Sequence, residues 1–295
     1  MTVPDIFFHI GAHKTATTHL QRSIGNHRES LRDRGVAFFG PRDLRDAHPT
    51  LGQRFGIAPN AGRQVTPLQA MAERDKMLDG ASRLVLSEEN FIGGINNKWG
   101  RMSVPLYRNA QTRLTDLTAK IAPQGMTLAL GVRHPAALAS SAYVQHLMAG
   151  GRTGLRRLQP HLDVAAIDWV DLLQRLSGVA GVSRLYVWRH EDYDRVFDQI
   201  TRLLLGDAAE GIDPVEGRVH MGLSHAAVAH INANLREPDI VATARARFPI
   251  CDTHPPFSIF GAAEIEKAGR LYDAQVQRIA DLPKITLLTP MPSRT

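Results

Sequence analysis

Short apolar runs alternate with stretches of helical periodicity as far as residue 205, and that alternation predicts βαβ units around a parallel sheet. Ile6 to Ile10 reads as a buried strand; Leu20, Ile24 and Leu31 then line one helix face until Gly35 supplies a stop. Val36 to Phe39 is a second strand, closed by Gly40 and Pro41. Arg83 to Ser87, Met126 to Val132 and Arg184 to Trp188 are further strand-length runs. Between them, Thr66, Pro67 and Gln69 form a capping box with proline at the first helical position, which predicts a helix through about Leu78. Leu106, Ala110, Leu114, Leu117 and Ile121 mark an amphipathic helix, and another begins at Pro135. Ile167, Leu172 and Leu176 mark the helix before the fifth strand, and Val196, Ile200 and Leu203 the helix after it.

Residues 42–65 carry few periodic apolar positions and many Gly, Pro, Arg and Asp residues, so they read as a surface excursion over a substrate cleft. Beyond residue 206 the patterns are helical only. Ser224 suits the cap of a segment containing Val228 and Ile231, and a last helix spans about Ala262 to Ile279. Neither a repeat, a low-complexity tract nor a linker interrupts the chain. The expectation is one domain over residues 1–295: an α/β core of 1–205 with a helical C-terminal segment, 206–295, packed on it.

Composition narrows the classes. A hydrophobic fraction of 43% in 295 residues can bury a sizeable core. Lys and Arg exceed Asp and Glu by six (35 − 29), which suits a phosphate-bearing ligand, but there is no basic stripe interleaved with aromatics, so nucleic acid is not an expected partner. The longest uncharged apolar run, Met126 to Val132, falls far short of the roughly 18 residues that span a bilayer, so an integral membrane protein is not expected. Cys251 is alone and cannot form an internal disulfide, and MTVPDIFF lacks the basic start and apolar core of a secretory signal. Both point to a cytoplasmic protein.

Gly11-Ala12-His13-Lys14-Thr15-Ala16-Thr17-Thr18 lies between the first strand and the first helix, where backbone N–H groups and a helix N-terminus converge on an anion. Gly11 lets the chain turn sharply, and Lys14 adds a mobile positive charge. The hydroxyls of Thr15, Thr17 and Thr18 can donate to phosphate oxygens. The loop reads as a site for a phosphorylated nucleotide; a capped helix start with an incidental lysine is the plainer alternative. A Walker A loop would run G-x-x-x-x-G-K-[ST], whereas Lys14 here comes three residues after Gly11.

That spacing resembles the 5'-phosphosulfate loop H-x-G-x-x-K-T-G-T-T of sulfotransferases that use 3'-phosphoadenylyl sulfate (PAPS), particularly bacterial and carbohydrate-type members. Ala16 replaces the family's usual glycine and Ala12 a common proline. A second stretch is similar to the family's 3'-phosphate motif, R-x-P-x-x-x-x-x-S: Arg133 ends a strand, Pro135 follows two places later, and Ser141 lies eight residues on, with Ser140 able to stand in. The segment Tyr186 to Tyr193 looks like the family's strand-plus-Glu-Asp element, in which Glu191 and Asp192 orient the loop and Arg189 is their ion-pair partner.

The resemblance implies a three-layer α/β sandwich of the P-loop NTPase-like sulfotransferase type. It implies transfer of a sulfuryl group from PAPS to a hydroxyl or amine of a carbohydrate or small molecule, releasing adenosine 3',5'-bisphosphate, with no metal required. Residues 11–18, Arg133 and Ser141 would hold the nucleotide, and Lys14 would stabilise the leaving phosphate. The family uses a histidine or a glutamate as general base. Ser87-Glu88-Glu89-Asn90 ends a strand and offers Glu88 first and Glu89 next, while His13 and His19 flank the loop as further candidates. The family's late adenosine-site loop has only a faint counterpart, Gly217-Arg218. A P-loop kinase using ATP and magnesium, or a catalytically silent nucleotide binder, are the competing readings. Acceptor specificity would lie in loops 42–65, 90–104 and 149–160.

Overall fold

The computed structural model describes residues 3–57, 62, 64–97, 100–217 and 222–291. Six strands form one parallel sheet: β1 (Asp5–His9), β2 (Val36–Phe39), β3 (Arg83–Ser87), β4 (Met126–Val132), β5 (Val182–Arg189) and β6 (Ile285–Leu288). Their spatial order is β2-β3-β1-β4-β5-β6, with every neighbouring pair parallel. The helices are α1 (Thr17–Gly25), α2 (Arg28–Asp33), α3 (Leu51–Phe55), α4 (Pro67–Leu78), α5 (Ala110–Ile121) and α6 (Pro135–Met148). They continue with α7 (Leu155–Leu158), α8 (Trp169–Ser177), α9 (Tyr193–Leu205), α10 (His225–Ala233), α11 (Ile240–Arg247) and α12 (Ala262–Ala280).

Successive strand side chains point to opposite faces, and the core divides accordingly. Leu84 and Leu86 of β3 and Leu128, Leu130 and Val132 of β4 enter the larger apolar cluster, which α4, α5, α8 and α12 cover. Val85 and Ala129 face the other way, into a cluster closed by Leu20 and Ile24 of α1 and by Val196, Phe197 and Ile200 of α9. The result is the three-layer α/β arrangement expected from the alternation of elements. Among the described residues no helix is long and apolar enough to cross a membrane.

Three features depart from the sequence reading. The C-terminal segment is not wholly helical: β6 adds to the sheet beside β5, pairing Leu185 with Ile285 through Trp188 with Leu288. Four half-buried residues are too few to display a period, and the run hides directly behind the long pattern of α12. Nor do α10 and α11 pack on the sheet. Ala227, Val228 and Ile231 of α10, with Ile240 and Ala244 of α11, form a third cluster against Tyr143, Val144 and Leu147 of α6. Thirdly, the described residues of 42–65 are anchored. Pro41 opens a π-helical turn at Arg42–Asp46, Thr50 and Gln53 make a capping box for α3, and Leu44, Leu51, Phe55, Ile57 and Val65 are buried in the larger cluster. Single buried apolar residues between polar neighbours carry no helical period, so this wall reads as loop.

Leu128 is fully buried at the centre of β4, between β1 and β5. Truncation there leaves a cavity that rigid strands on both sides cannot close. Leu128→Ala should cost about 2–5 kcal/mol of unfolding free energy in a urea titration, against less than about 0.5 kcal/mol for Leu68→Ala on the exposed face of α4.

Candidate functional site

β1 has β3 on one side and β4 on the other, so the chain leaving β1 emerges where the two halves of the sheet diverge, the usual place for a ligand in an open α/β sheet. The loop after β1 is tightly wound. Gly11, Lys14 and Ala16 all adopt left-handed backbone angles, with φ of 39°, 67° and 65°. A Cβ on Gly11 would lie 2.6 Å from Thr17 Oγ1, so only glycine fits there. The Ala12 carbonyl accepts from the hydroxyls of Thr15 at 2.6 Å and Thr17 at 3.2 Å, closing the loop on itself. Two of the three threonines expected to face a phosphate therefore brace the loop, while Thr18 is half-buried in the first turn of α1. The backbone N–H groups of Lys14, Ala16, Thr17 and Thr18 have no intramolecular acceptor among the described residues. Those of Ala16, Thr17 and Thr18 are the ordinary unpaired donors of a helix start, and that of Lys14 belongs to the turn before it.

Arg133, at the end of β4, reaches this loop. Its Nη1 donates to the Lys14 carbonyl at 2.6 Å, and its own carbonyl accepts from Trp169 Nε1 at 2.9 Å. Gly131 makes the approach possible, since a Cβ there would lie 3.0 Å from Trp188 Nε1 and 3.1 Å from Thr15 Cβ. Burial and the nearby Arg133 charge both lower the Lys14 pKa. His190 lies beside the same group; burial first, and Arg133 second, push it down to about 4, so it is neutral at pH 7. The start of α6 is fixed by Glu191, which accepts from the His134 N–H at 2.8 Å and from the Tyr272 hydroxyl at 3.0 Å. Arg189 lies 3.9 Å from both Glu191 and Asp192. Ser140 is committed inside the fold, donating to the Ala136 carbonyl at 2.8 Å and accepting from the Ile259 N–H at 3.1 Å. Ser141, its neighbour, is half-buried and makes no hydrogen bond through its hydroxyl among the described residues.

On the other side of β1, His9 pairs with Ser87 in register, which sets Glu88, Glu89 and Asn90 beside the loop. Glu88 is almost wholly buried. Its Oε1 accepts from the Asn90 N–H at 2.8 Å and from Arg45 at 3.2 Å, while Oε2 is buried without a hydrogen-bond partner among the described residues. Burial, reinforced by the charge of Glu89, pushes the Glu88 carboxyl up to about 7. Glu89 goes the other way. Burial alone would raise it, but hydrogen bonds from Gln21 and its own backbone N–H, together with Arg45, hold it below the usual carboxylate value. One environment thus keeps two adjacent carboxyls in different protonation states near neutrality.

His13 has both ring nitrogens engaged. The Tyr107 hydroxyl accepts from the His13 N–H at 2.9 Å and lies 3.1 Å from Nδ1, and Nε2 lies 2.8 Å from Asn90 Oδ1. A hydroxyl that accepts from the backbone can donate to Nδ1, which leaves Nε2–H to donate to Asn90 and makes the ring a neutral spacer. Burial lowers its pKa in keeping with that. His19 is similarly occupied, with Tyr193 Oη at 2.8 Å and the Val215 carbonyl at 2.9 Å.

The folded chain therefore brings Lys14, Arg133, Glu88, Glu89 and His13 around one loop. Sequence reasoning missed Arg45, Gln21, Asn90 and Tyr107 as its supports. Arg45 and Tyr107 come from stretches with no recognisable motif, and only the position of Asn90 directly after the paired glutamates offered a signal. Gly217 is described, but Arg218 lies outside the described residues.

Comparison with known proteins adds little. No family model matches the chain, and no curated protein does. One similar solved structure is a sulfotransferase from Alicyclobacillus acidocaldarius. The match spans 84% of this chain and 94% of that one at 14% identity, with a TM-score of 0.39. A likeness of that order bears on neither activity nor acceptor.

Two outcomes are expected from this geometry. Ala16 is the N-cap of α1 and carries a Cβ in a left-handed conformation, which costs about 1–2 kcal/mol, and glycine is also the better N-cap of the two, so Ala16→Gly should be neutral or raise unfolding free energy by up to about 1 kcal/mol in urea. Glu88 has a folded pKa of about 7 against an ordinary 4.5, so its contribution to stability is full below pH 4.5 and is lost as pH rises through 7. The melting temperature of Glu88→Gln, which cannot ionise, should accordingly gain on the parent between pH 5 and pH 8; a constant difference would contradict the raised pKa.

Proposed function

We propose that this chain is a PAPS-dependent sulfotransferase, a single sulfotransferase-like unit working in the cytoplasm on a hydroxyl or amine of a carbohydrate or small molecule. The observation that carries the reading is the bond from Arg133 Nη1 to the Lys14 carbonyl. It joins the strand-to-helix junction after β1 to the one after β4, and β1 and β4 are adjacent strands. Each junction has its own cation, and each opens a helix. Two neighbouring anion sites suit a nucleotide with phosphates at both ends of its ribose better than they suit a single triphosphate chain.

In this reading residues 11–18 hold the 5'-phosphosulfate through the unpaired N–H groups, Thr18 and Lys14. Arg133 and Ser141 hold the 3'-phosphate. The acceptor oxygen attacks sulfur in line, the bond from sulfur to the 5'-phosphate oxygen breaks, and Lys14 balances the charge that develops on the leaving phosphate. The acceptor proton passes to Glu88, whose pKa near 7 matches a base working at neutral pH. Arg45, partly exposed and bridging both glutamates, is the group that must shift for an acceptor to reach Glu88. Glu89 stays ionised to hold Arg45 and Gln21, and His13 keeps the loop in place through Tyr107 and Asn90.

Calorimetric titration with adenosine 3',5'-bisphosphate should give binding that needs no magnesium, weakened about 10- to 100-fold by Lys14→Ala or by Arg133→Ala. Equal affinity in both variants, or preference for ATP with magnesium, would refute the donor site. Transfer of labelled sulfate from PAPS should rise with pH around an apparent pKa near 7 and should fall at least 100-fold in Glu88→Gln with donor binding intact. Full turnover in that variant would move the base to Glu89.

A further inference from the structure

Glu88 and Glu89 are adjacent in sequence and share one cation, and a single contact sets them apart. Arg45 Nη1 lies 3.2 Å from Glu88 Oε1 and 3.2 Å from Glu89 Oε1, so it draws charge onto either carboxyl alike. The backbone is even-handed too: Glu88 accepts from the Asn90 N–H at 2.8 Å, and Glu89 accepts from its own N–H. Burial opposes ionisation of both, with side-chain exposures of 4% for Glu88 and 14% for Glu89. The unmatched contact comes from Gln21. Its Nε2 donates to Glu89 Oε2 at 3.0 Å, whereas Glu88 Oε2 is buried without a hydrogen-bond partner among the described residues.

Gln21 lies in the middle of α1, the helix that opens at the donor loop, and is buried with its amide turned inwards. The amide nitrogen also lies 3.2 Å from Ser87 Oγ and 3.4 Å from the Ser87 carbonyl, so the end of β3 holds it in place. Ser87 Oγ in turn lies 2.7 Å from His9 Nδ1, and burial pushes His9 down to about 4, which keeps the ring neutral at pH 7. With the ring protonated at Nε2, Ser87 donates to His9 and its oxygen is left to accept from Gln21. A carboxylate can only accept. Both neighbours therefore turn the NH2 end of the amide, and not its oxygen, towards Glu89. A donor fixed before the charge appears stabilises that charge with little reorganisation.

The remaining groups around the pair add little asymmetry. Asp46, exposed and 3.5 Å from Arg45, gives the smallest of the pushes on Glu88. His9 from β1, His13 from the donor loop and Tyr107 ahead of α5 are each driven by burial towards their neutral forms.

We propose that Gln21 is a positioning residue that fixes the order in which the two carboxyls ionise, Glu89 first and Glu88 second. Glu88 is thereby reserved as the proton acceptor, because the acid that loses its proton last is the stronger base of the pair. That catalytic consequence rests on the sulfotransferase reading above; the order of ionisation does not.

The test follows the side-chain Cδ signals of carbon-13-labelled glutamate by NMR in the full chain, without nucleotide or acceptor, using Glu88→Gln and Glu89→Gln to assign them. In the parent, Glu89 should titrate in one step below a Glu88 midpoint near 7. In Gln21→Met, which keeps the bulk and loses the donor, the lower step should move up by about one pH unit, a tenfold loss of acidity. That step should then appear in both signals, as the first proton lost comes to be shared between the two carboxyls. Added to Glu89→Gln, the same substitution should leave the Glu88 midpoint in place, since Gln21 acts through Glu89. A parent in which Glu88 ionises first overturns the proposal. So does an unmoved Glu89 step in Gln21→Met, or a Glu88 midpoint that moves as far with Glu89 replaced as with it present. If Gln21→Met does not fold, Gln21→Asn, which draws the amide back by one methylene, takes its place with the same outcomes expected. Should the chain move no sulfate from PAPS while these titrations hold, the donor reading falls and the role of Gln21 stands.

Discussion

The site depends on one hydrogen bond, from the Arg133 guanidinium to the carbonyl of Lys14. A backbone carbonyl in a left-handed turn has no regular partner of its own, and a cation at the end of the next strand supplies one. The same contact places two positive groups side by side, which is unfavourable unless something negative joins them. Burial of Lys14 sharpens the conflict, because an ammonium taken from water without a counter-ion loses affinity for its proton. The fold tolerates the arrangement because β1 and β4 are adjacent and buried, so the junctions above them cannot drift apart.

A second constraint acts across β1. Glu88 and Glu89 end β3 with their carboxyls sharing a single guanidinium from Arg45. One cation cannot fully neutralise two acids in a buried setting, so the pair divides, Glu89 ionised and Glu88 close to half-protonated at neutral pH. The stretch 42–65, polar in sequence, is pinned by Leu44, Leu51 and Phe55 and so delivers Arg45 from a firm base.

Much of this was legible in the sequence. Five strands, the capped helix at Thr66 and the two strand-to-helix junctions stood out because strand-length apolar runs, capping residues and Gly or Pro stops agree locally. The helix predicted from Leu20 to Leu31 breaks at Asn26 and His27 into α1 and α2, yet Leu20, Ile24 and Leu31 still share one cluster, since burial and not helix continuity sets their spacing. What could not be read were contacts made at long range by residues without a pattern. Tyr107 holds His13 from 94 positions away, and Arg45 grips Glu88 from 43. The commitment of Thr15 and Thr17 to the Ala12 carbonyl was equally hidden, because the same hydroxyls serve a phosphate or a tight turn equally well.

β6 has a bearing on how the molecule assembles. The outer edge of β5 stays open until α9, α10, α11 and α12 have all been made, because its covering strand comes after every one of them. A nascent sheet would spend that interval with a row of unmet amide and carbonyl groups facing outwards, a template for pairing with another chain. The charged residues Arg184 and Arg189 flank the four residues of β5 that pair with β6, where they would discourage such pairing before the native partner arrives.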